Sequence, residues 1–246
     1  APSPISALLS GALLNCAFLG ILRAHAILAR TAGAAYSQSL LVAFGGISMV
    51  LASGFLVRQR DTKRLLAYSS IENMGLLTLA AGASAPFGAL LHAVNHSLIK
   101  GMLFLVAGNL LTLYHTKSTE EIRGILRVSP LTGGLWLAGF LAICGLPPFG
   151  AFVSEWTILS SLGREGRWGL LALVLTSLGV VFVGLWRTLI PMAYGEPTPA
   201  TEESARPPLF RLPPLALGGA ALLLGMWIPG PLMRLLGRAA ALLGGI

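Results

Sequence analysis

The sequence predicts an all-helical integral membrane protein of about seven transmembrane helices, one of them broken near its middle. Three observations predict it. Of 246 residues, 55% are hydrophobic and only 11% charged, with a mean hydropathy of +0.79; a soluble domain carries about a quarter charged residues and must keep much of its surface wettable. Apolar runs of ~20 residues, the length of helix that crosses a hydrocarbon core ~30 Å thick, recur along the chain. One run is too long for a single span and is interrupted at Gly145-Leu146-Pro147-Pro148. Strands are excluded, because an open strand in lipid leaves its backbone groups unpaired.

The runs cover residues 5–28, 39–57, 65–83, 87–113, 131–162, 168–192 and 212–236. In the fifth, two adjacent prolines remove backbone donors and stop the helix. It reads as two half-helices around an unwound centre, which is tolerated at membrane depth only inside protein or along a wet cavity and is a mark of transporters. The basic loop Arg58-Gln59-Arg60-Asp61-Thr62-Lys63-Arg64 fixes orientation, with Lys117, Arg123, Arg127, Arg206 and Arg211 on its side. The opposite side holds Arg30, Arg164, Arg167, Arg234 and Arg238. The richer side is expected in the cytoplasm, so loops 58–64, 114–129 and 193–211 are cytoplasmic, and residues 195–211, with Glu202 and Glu203, form a connector to the last helix.

The net charge of +8 comes from cations at the ends of apolar runs, which suits lipid headgroups rather than nucleic acid. Cys16 and Cys144 lie in separate runs outside any metal-ligand spacing and read as packed thiols. No nucleotide loop, metal cluster or catalytic triad is visible, and no cofactor is expected in this chain. The chain begins at Ala1 and enters an apolar run just after Pro4, so its first residues are expected to be the interior of a longer polypeptide.

Ionisable residues inside the runs carry the functional reading, since a charge at the bilayer centre costs at least ~2.5 kcal/mol. His92, His96 and Lys100 are spaced four and four, on one helix face, at ~6 Å intervals along the axis. That spacing suits proton hopping through one or two waters; the bland reading is packing by bonded histidines and a snorkelling lysine. Glu155 lies seven residues beyond Pro148, where an unwound segment can bring water to it; its bland reading is a structural ion pair. Glu72, about two turns into its run, suits pairing with Lys100 or Lys63, or polar glue between helices. Lys63 suits a positive-inside anchor or the mouth of a proton path. Asn15, polar at mid-span, suits a helix bridge or a water site, and His25 and Arg23 read as interfacial.

At these residues the sequence resembles a known family. Asp61-Thr62-Lys63-Arg64-Leu65-Leu66-Ala67-Tyr68-Ser69-Ser70 is similar to a signature of the antiporter-like membrane subunits of respiratory complex I, a family that includes group-4 membrane-bound nickel–iron hydrogenases, formate hydrogenlyase and multisubunit cation/proton antiporters. His92, His96 and Lys100 resemble its buried His-His-Lys line. Gly145-Leu146-Pro147-Pro148-Phe149-Gly150, followed by Ser154-Glu155, resembles its broken helix, and Pro4-Ile5-Ser6-Ala7-Leu8-Leu9 the start of a mid-domain helix. Tyr68-Ser69-Ser70-Ile71-Glu72-Asn73-Met74-Gly75 looks most like hydrogenase-4 component F. Asn15 departs from relatives that place a lysine or histidine in this run.

The resemblance implies a fourteen-helix fold with two inverted repeats, of which residues 1–246 cover about helices eight to fourteen and the second repeat. It implies a proton-translocating membrane subunit of a redox-driven complex in the inner membrane of a prokaryote. Lys63, Glu72, His92, His96, Lys100 and Glu155 would form the pathway, and partner subunits would hold nickel–iron and iron–sulfur centres. The alternatives are a subunit of a multisubunit sodium/proton antiporter and a non-conducting scaffold for peripheral redox subunits.

Overall fold

A computed structural model describes residues 2–31, 33–198 and 210–244. All seven runs become helix. The first is a 26-residue rod, Ser3–Leu28, made of α1 (Ser3–Leu8), a π-helical turn (Leu9–Leu13) and α2 (Leu14–Leu28). α3 (Ala34–Leu56) and α4 (Thr62–Gly82) form an antiparallel pair, and α5 (Pro86–Tyr114) follows, the longest helix at 29 residues, or about 43 Å. A short α6 (Ile125–Val128) leads into α7 (Pro130–Ile143), the break, and α8 (Gly150–Arg164). α9 (Trp168–Tyr194), α10 (Leu212–Met226) and α11 (Gly230–Gly244) complete the chain.

Four of these helices are long and apolar enough to cross a membrane, five if the α10–α11 pair is one span. α4 is too polar for that criterion because it carries Ser69, Ser70, Glu72 and Asn73, and all four are buried against neighbouring helices. The seventh run is not the straight span its hydropathy predicts: α10 and α11 meet at 76° across residues 227–229, where Pro229 removes a backbone donor. The expected connector at 195–211 falls largely on residues 199–209, outside the described residues, and Glu202, Glu203 and Arg206 with it. On its near side Thr198 donates to the Glu121 carbonyl at 2.7 Å.

Short sequence devices set the helix ends. Asp61 caps α4 by accepting from the amides of Lys63 (2.8 Å) and Arg64 (2.9 Å). Backbone bonds from Thr62 to the Lys117 carbonyl (2.9 Å) and from Thr119 to the Arg60 carbonyl (2.8 Å) stitch the two basic loops together at that end. α3 and α4 approach through glycines: a Cβ on Gly45 would lie 2.7 Å from the Gly75 carbonyl oxygen, and one on Gly75 2.8 Å from that of Gly45. Backbone cannot yield as a side chain can, so Gly75→Ala is expected to lose about 1–3 kcal/mol of stability. Gly54→Ala, with nothing within 4 Å of the added methyl, is the neutral control. A thermal unfolding comparison of the two variants in detergent checks this.

The apolar interior divides in two. One cluster, toward the basic loops, includes Leu65, Leu66, Ile99, Val106, Trp136, Ala151 and Leu185. The other, toward the opposite end, includes Phe18, Met49, Leu76, Ala80, Ala89, Ala93 and Ile158. On α4 the buried side chains between Leu66 and Leu76 are Ser69, Ser70, Glu72 and Asn73; on α5 Asn95 and His96 lie between Ala93 and Ile99; on α8 Ser154 and Glu155 lie between Ala151 and Ile158. Three packed helices therefore switch from apolar to polar and back at one level, which places a polar belt between two greasy layers. Large apolar side chains such as Phe44, Ile47, Leu51 and Phe55 of α3 are exposed, on a face suited to lipid.

A buried ionisable belt as candidate functional site

α5 presents His92, His96 and Lys100 on one face, as the four-residue spacing predicts, and they are only 1%, 2% and 0% exposed. Lys100 is the middle residue of α5, too deep for its ammonium to reach an interface. Its Nζ instead donates to the Leu66 carbonyl at 2.8 Å and to Ser69 Oγ, both on α4. Glu72 is one turn along α4 from Ser69, and its charge acts on Lys100. The expected ion pair does not form: among the described residues no Glu72 salt bridge lies within 4.0 Å, and Glu72 Oε2 accepts from Asn73 at 2.8 Å. Glu72 Oε1 is buried without a hydrogen-bond partner.

His92 is held on both sides. Nδ1 meets Ser154 Oγ of α8 at 2.9 Å, and Nε2 meets Asn73 Oδ1 of α4 at 2.8 Å. His96 is the opposite case, with both ring nitrogens buried and unpartnered. The backbone of Ser10, in the π-helical turn, lies beside its ring. That turn seats against α5, where Ser97 Oγ donates to the Gly11 carbonyl at 2.6 Å, and π-bulges often mark functional sites. Asn15 bridges helices: its Nδ2 donates to the Ala93 carbonyl at 2.8 Å and to Ser97 Oγ.

Glu155 enters the belt from the break. Gly145 has φ +61°, and Pro147-Pro148 is a cis peptide bond. A Cβ on Gly145 would overlap the Glu155 carboxylate, so the side chain folds back over the bare backbone of the break. Glu155 is 7% exposed, and its charge acts on Cys144, as do those of Glu72 and Lys100. The break is wedged from two sides. Asn95 Nδ2 donates to the Gly150 carbonyl at 2.8 Å, and a Cβ on Gly225 of α10 would overlap the Pro148 carbonyl oxygen.

Lys63 stands outside the belt, at its approach from the basic loops. It lines a cleft of about 610 Å³ with Asp61, Arg64 and Lys117 at one end and Ser10 and Ser70 at the other. There Ser10 and Ser70 join their hydroxyls at 2.8 Å. Partial burial and the neighbouring Lys117 lower the Lys63 pKa, with Asp61 opposing. The structure thus buries Glu72, His92, His96, Lys100 and Glu155 among α4, α5 and α8, with Lys63 in the neighbouring cleft and Asn15 on the flank.

Sequence reasoning missed Asn73, Asn95, Ser69 and Ser154 as the groups that hold the belt; the available signal was polar residues inside apolar runs. His25, in the last turn of α2, is buried, and Ser37 of α3 meets its Nδ1 at 2.9 Å. One residue was misplaced. Cys16 is exposed rather than packed, since it lies on the outward side of α2.

The family described as NADH:quinone oxidoreductase/Mrp antiporter, transmembrane, matches residues 1–182, a stretch that includes every belt residue. A hydrogenase-4 component F homolog of Methylacidiphilum infernorum is 40% identical over 204 residues, 80% of this chain and 42% of the relative. Hydrogenase-4 component B of Escherichia coli is 37% identical over 182 residues, 68% of this chain and 27% of the relative. The chain therefore spans less than half the length of these two relatives. Among solved structures, a chain of the membrane-bound sulfane sulfur reductase, an archaeal respiratory membrane complex, superposes with a TM-score of 0.85 at 26% identity, covering 99% of this chain and 50% of that one. With the belt and the broken helix inside the matched residues, this chain belongs to the NADH:quinone oxidoreductase/Mrp antiporter transmembrane family.

Proposed function

We propose that the chain is part of a proton-translocating membrane subunit of a redox-driven complex of the hydrogenase-4 or complex I type. One observation carries this reading: four titratable side chains from three helices, Glu72, His96, Lys100 and Glu155, are buried where the two apolar clusters meet. Among the described residues Lys100, Glu72 and Glu155 have no ion pair within 4.0 Å, and burial without one is costly, so a structural role alone explains them poorly. Groups that gain and lose protons in turn do not each require a permanent counter-charge. In this reading Lys63 and its cleft admit protons from the cytoplasmic side. His96, Lys100 and Glu72 carry them across the layer, and Glu155 beside the break passes them to the outer side.

The same reading places the chain in a prokaryotic inner membrane, with the basic loops cytoplasmic, as the second inverted repeat of a fourteen-helix fold. The first repeat would precede it, and peripheral subunits with nickel–iron and iron–sulfur centres would supply the energy. Reconstitution of the full-length subunit in its complex, with a pH-sensitive dye and labelled sodium, tests it. Wild type is expected to acidify the vesicle lumen during electron transfer without sodium uptake. Glu155→Gln, which keeps shape and removes the titrating group, should slow acidification by about tenfold or more while electron transfer continues. Sodium uptake coupled to proton release would instead support an antiporter, and unchanged acidification in the variant a scaffold.

A further inference from the structure

His92 and His96 are one turn apart on α5 and equally buried, so spacing alone makes them interchangeable links. Their hydrogen bonds do not. Asn73 Nδ2 donates to the Ser69 carbonyl at 2.7 Å and to Glu72 Oε2 at 2.8 Å. Turning the amide over would aim its oxygen at those two oxygens, so Oδ1 must face His92. An amide oxygen only accepts, and the ring nitrogen 2.8 Å away must therefore carry its hydrogen. On the other side Nδ1 meets the Ser154 hydroxyl at 2.9 Å, which can give or take.

A histidine passes a proton along a line by accepting at one ring nitrogen and releasing from the other. His92 can accept at Nδ1, but its Nε2–H points at an amide oxygen that does not take the proton, so through-transfer stops there. Among the described residues His96 has no side-chain partner at either ring nitrogen, only the backbone of Ser10 beside its ring, so it is not clamped between two side chains as His92 is. We infer that His92 is a positioning residue, clamping α4, α5 and α8 together and orienting the Asn73 amide that holds Glu72, and that the proton line runs through His96 and Lys100 without it. This rests on the proton-conducting reading above.

The test uses the full-length subunit in its complex, reconstituted in vesicles, with protons pumped per electron as the readout. His92→Gln supplies an amide that donates to Asn73 and accepts from Ser154 but carries no proton; it should pump within about twofold of wild type. His96→Gln should lose about tenfold or more. His92→Ala should assemble poorly, and His92→Gln should restore assembly. Lys100→Met in the same series separates the two levels. If it pumps normally, the proton-conducting reading falls and this inference with it. If it stops pumping and fully assembled His92→Gln stops equally, only this inference falls. Should His92→Gln fail to assemble, ¹⁵N magnetic resonance of histidine-labelled wild type decides. The Nε2–H of His92, assigned against His96→Gln, should exchange with deuterium more slowly than the ring protons of His96, and equal or faster exchange overturns the clamp.

Discussion

Lys100→Met is expected to leave the complex assembled and its electron transfer running while proton pumping falls by about a hundredfold or more, the range for loss of a positioned proton-transfer group. Methionine fills nearly the same space as the lysine stem, which is fully buried. The variant also removes the cost of burying an ammonium. Its penalty is small, because the Leu66 carbonyl loses the ammonium but keeps the Ser70 hydroxyl at 2.9 Å. Lys100→Arg sharpens the result. Arginine keeps the charge but does not deprotonate in proteins. If Lys100 acts by holding charge beside Glu72, the arginine variant pumps; if it acts by giving up its proton, pumping is lost in both variants. Loss in both is the expected outcome. Normal pumping in Lys100→Met would remove the mechanism proposed for the belt.

Much of this belt was legible before any fold was drawn. A repeat of four on α5 could put His92, His96 and Lys100 only on one face, and two adjacent prolines could only break the fifth run. What spacing could not give was the partner of each group. Asn73 and Ser154 reach His92 because α4 and α8 pack on the same side of α5, a tertiary fact. Spacing left Glu72 open between a lysine partner and polar glue; the packed helices give it its own neighbour's amide, Asn73, at 2.8 Å. The 76° bend after α10 was hidden because Trp227 and Ile228 keep the run apolar; Pro229-Gly230-Pro231 was the mark of it. Nothing in Leu9-Ser10-Gly11-Ala12-Leu13 announces a π-helical turn, whose position follows the bond between Ser97 and the Gly11 carbonyl.

Gly145→Ala is expected to destabilise the protein by about 2–5 kcal/mol, because two penalties fall on one methyl group. The first is conformational: φ +61° lies in the left-handed region, which costs a residue with a Cβ about 1–2 kcal/mol. The second is steric: the new methyl would overlap the Glu155 carboxylate, which must then leave the break. The second penalty can be isolated. Glu155→Ala removes the carboxylate and with it the overlap, so adding Gly145→Ala to that background should cost only the conformational part. The double-mutant cycle should therefore show a coupling of about 1–3 kcal/mol between the two sites, well above the ~0.5 kcal/mol expected of independent positions. Thermal or denaturant unfolding of the four proteins in detergent measures it. Pumping should follow the same logic, since displacing Glu155 and deleting it both remove the outer end of the path: either single variant abolishes pumping, and the double variant loses nothing more. Additive stabilities would mean that Glu155 does not rest on Gly145. The glycine would then be required only for the turn, and the carboxylate's place beside the unwound segment would need another cause.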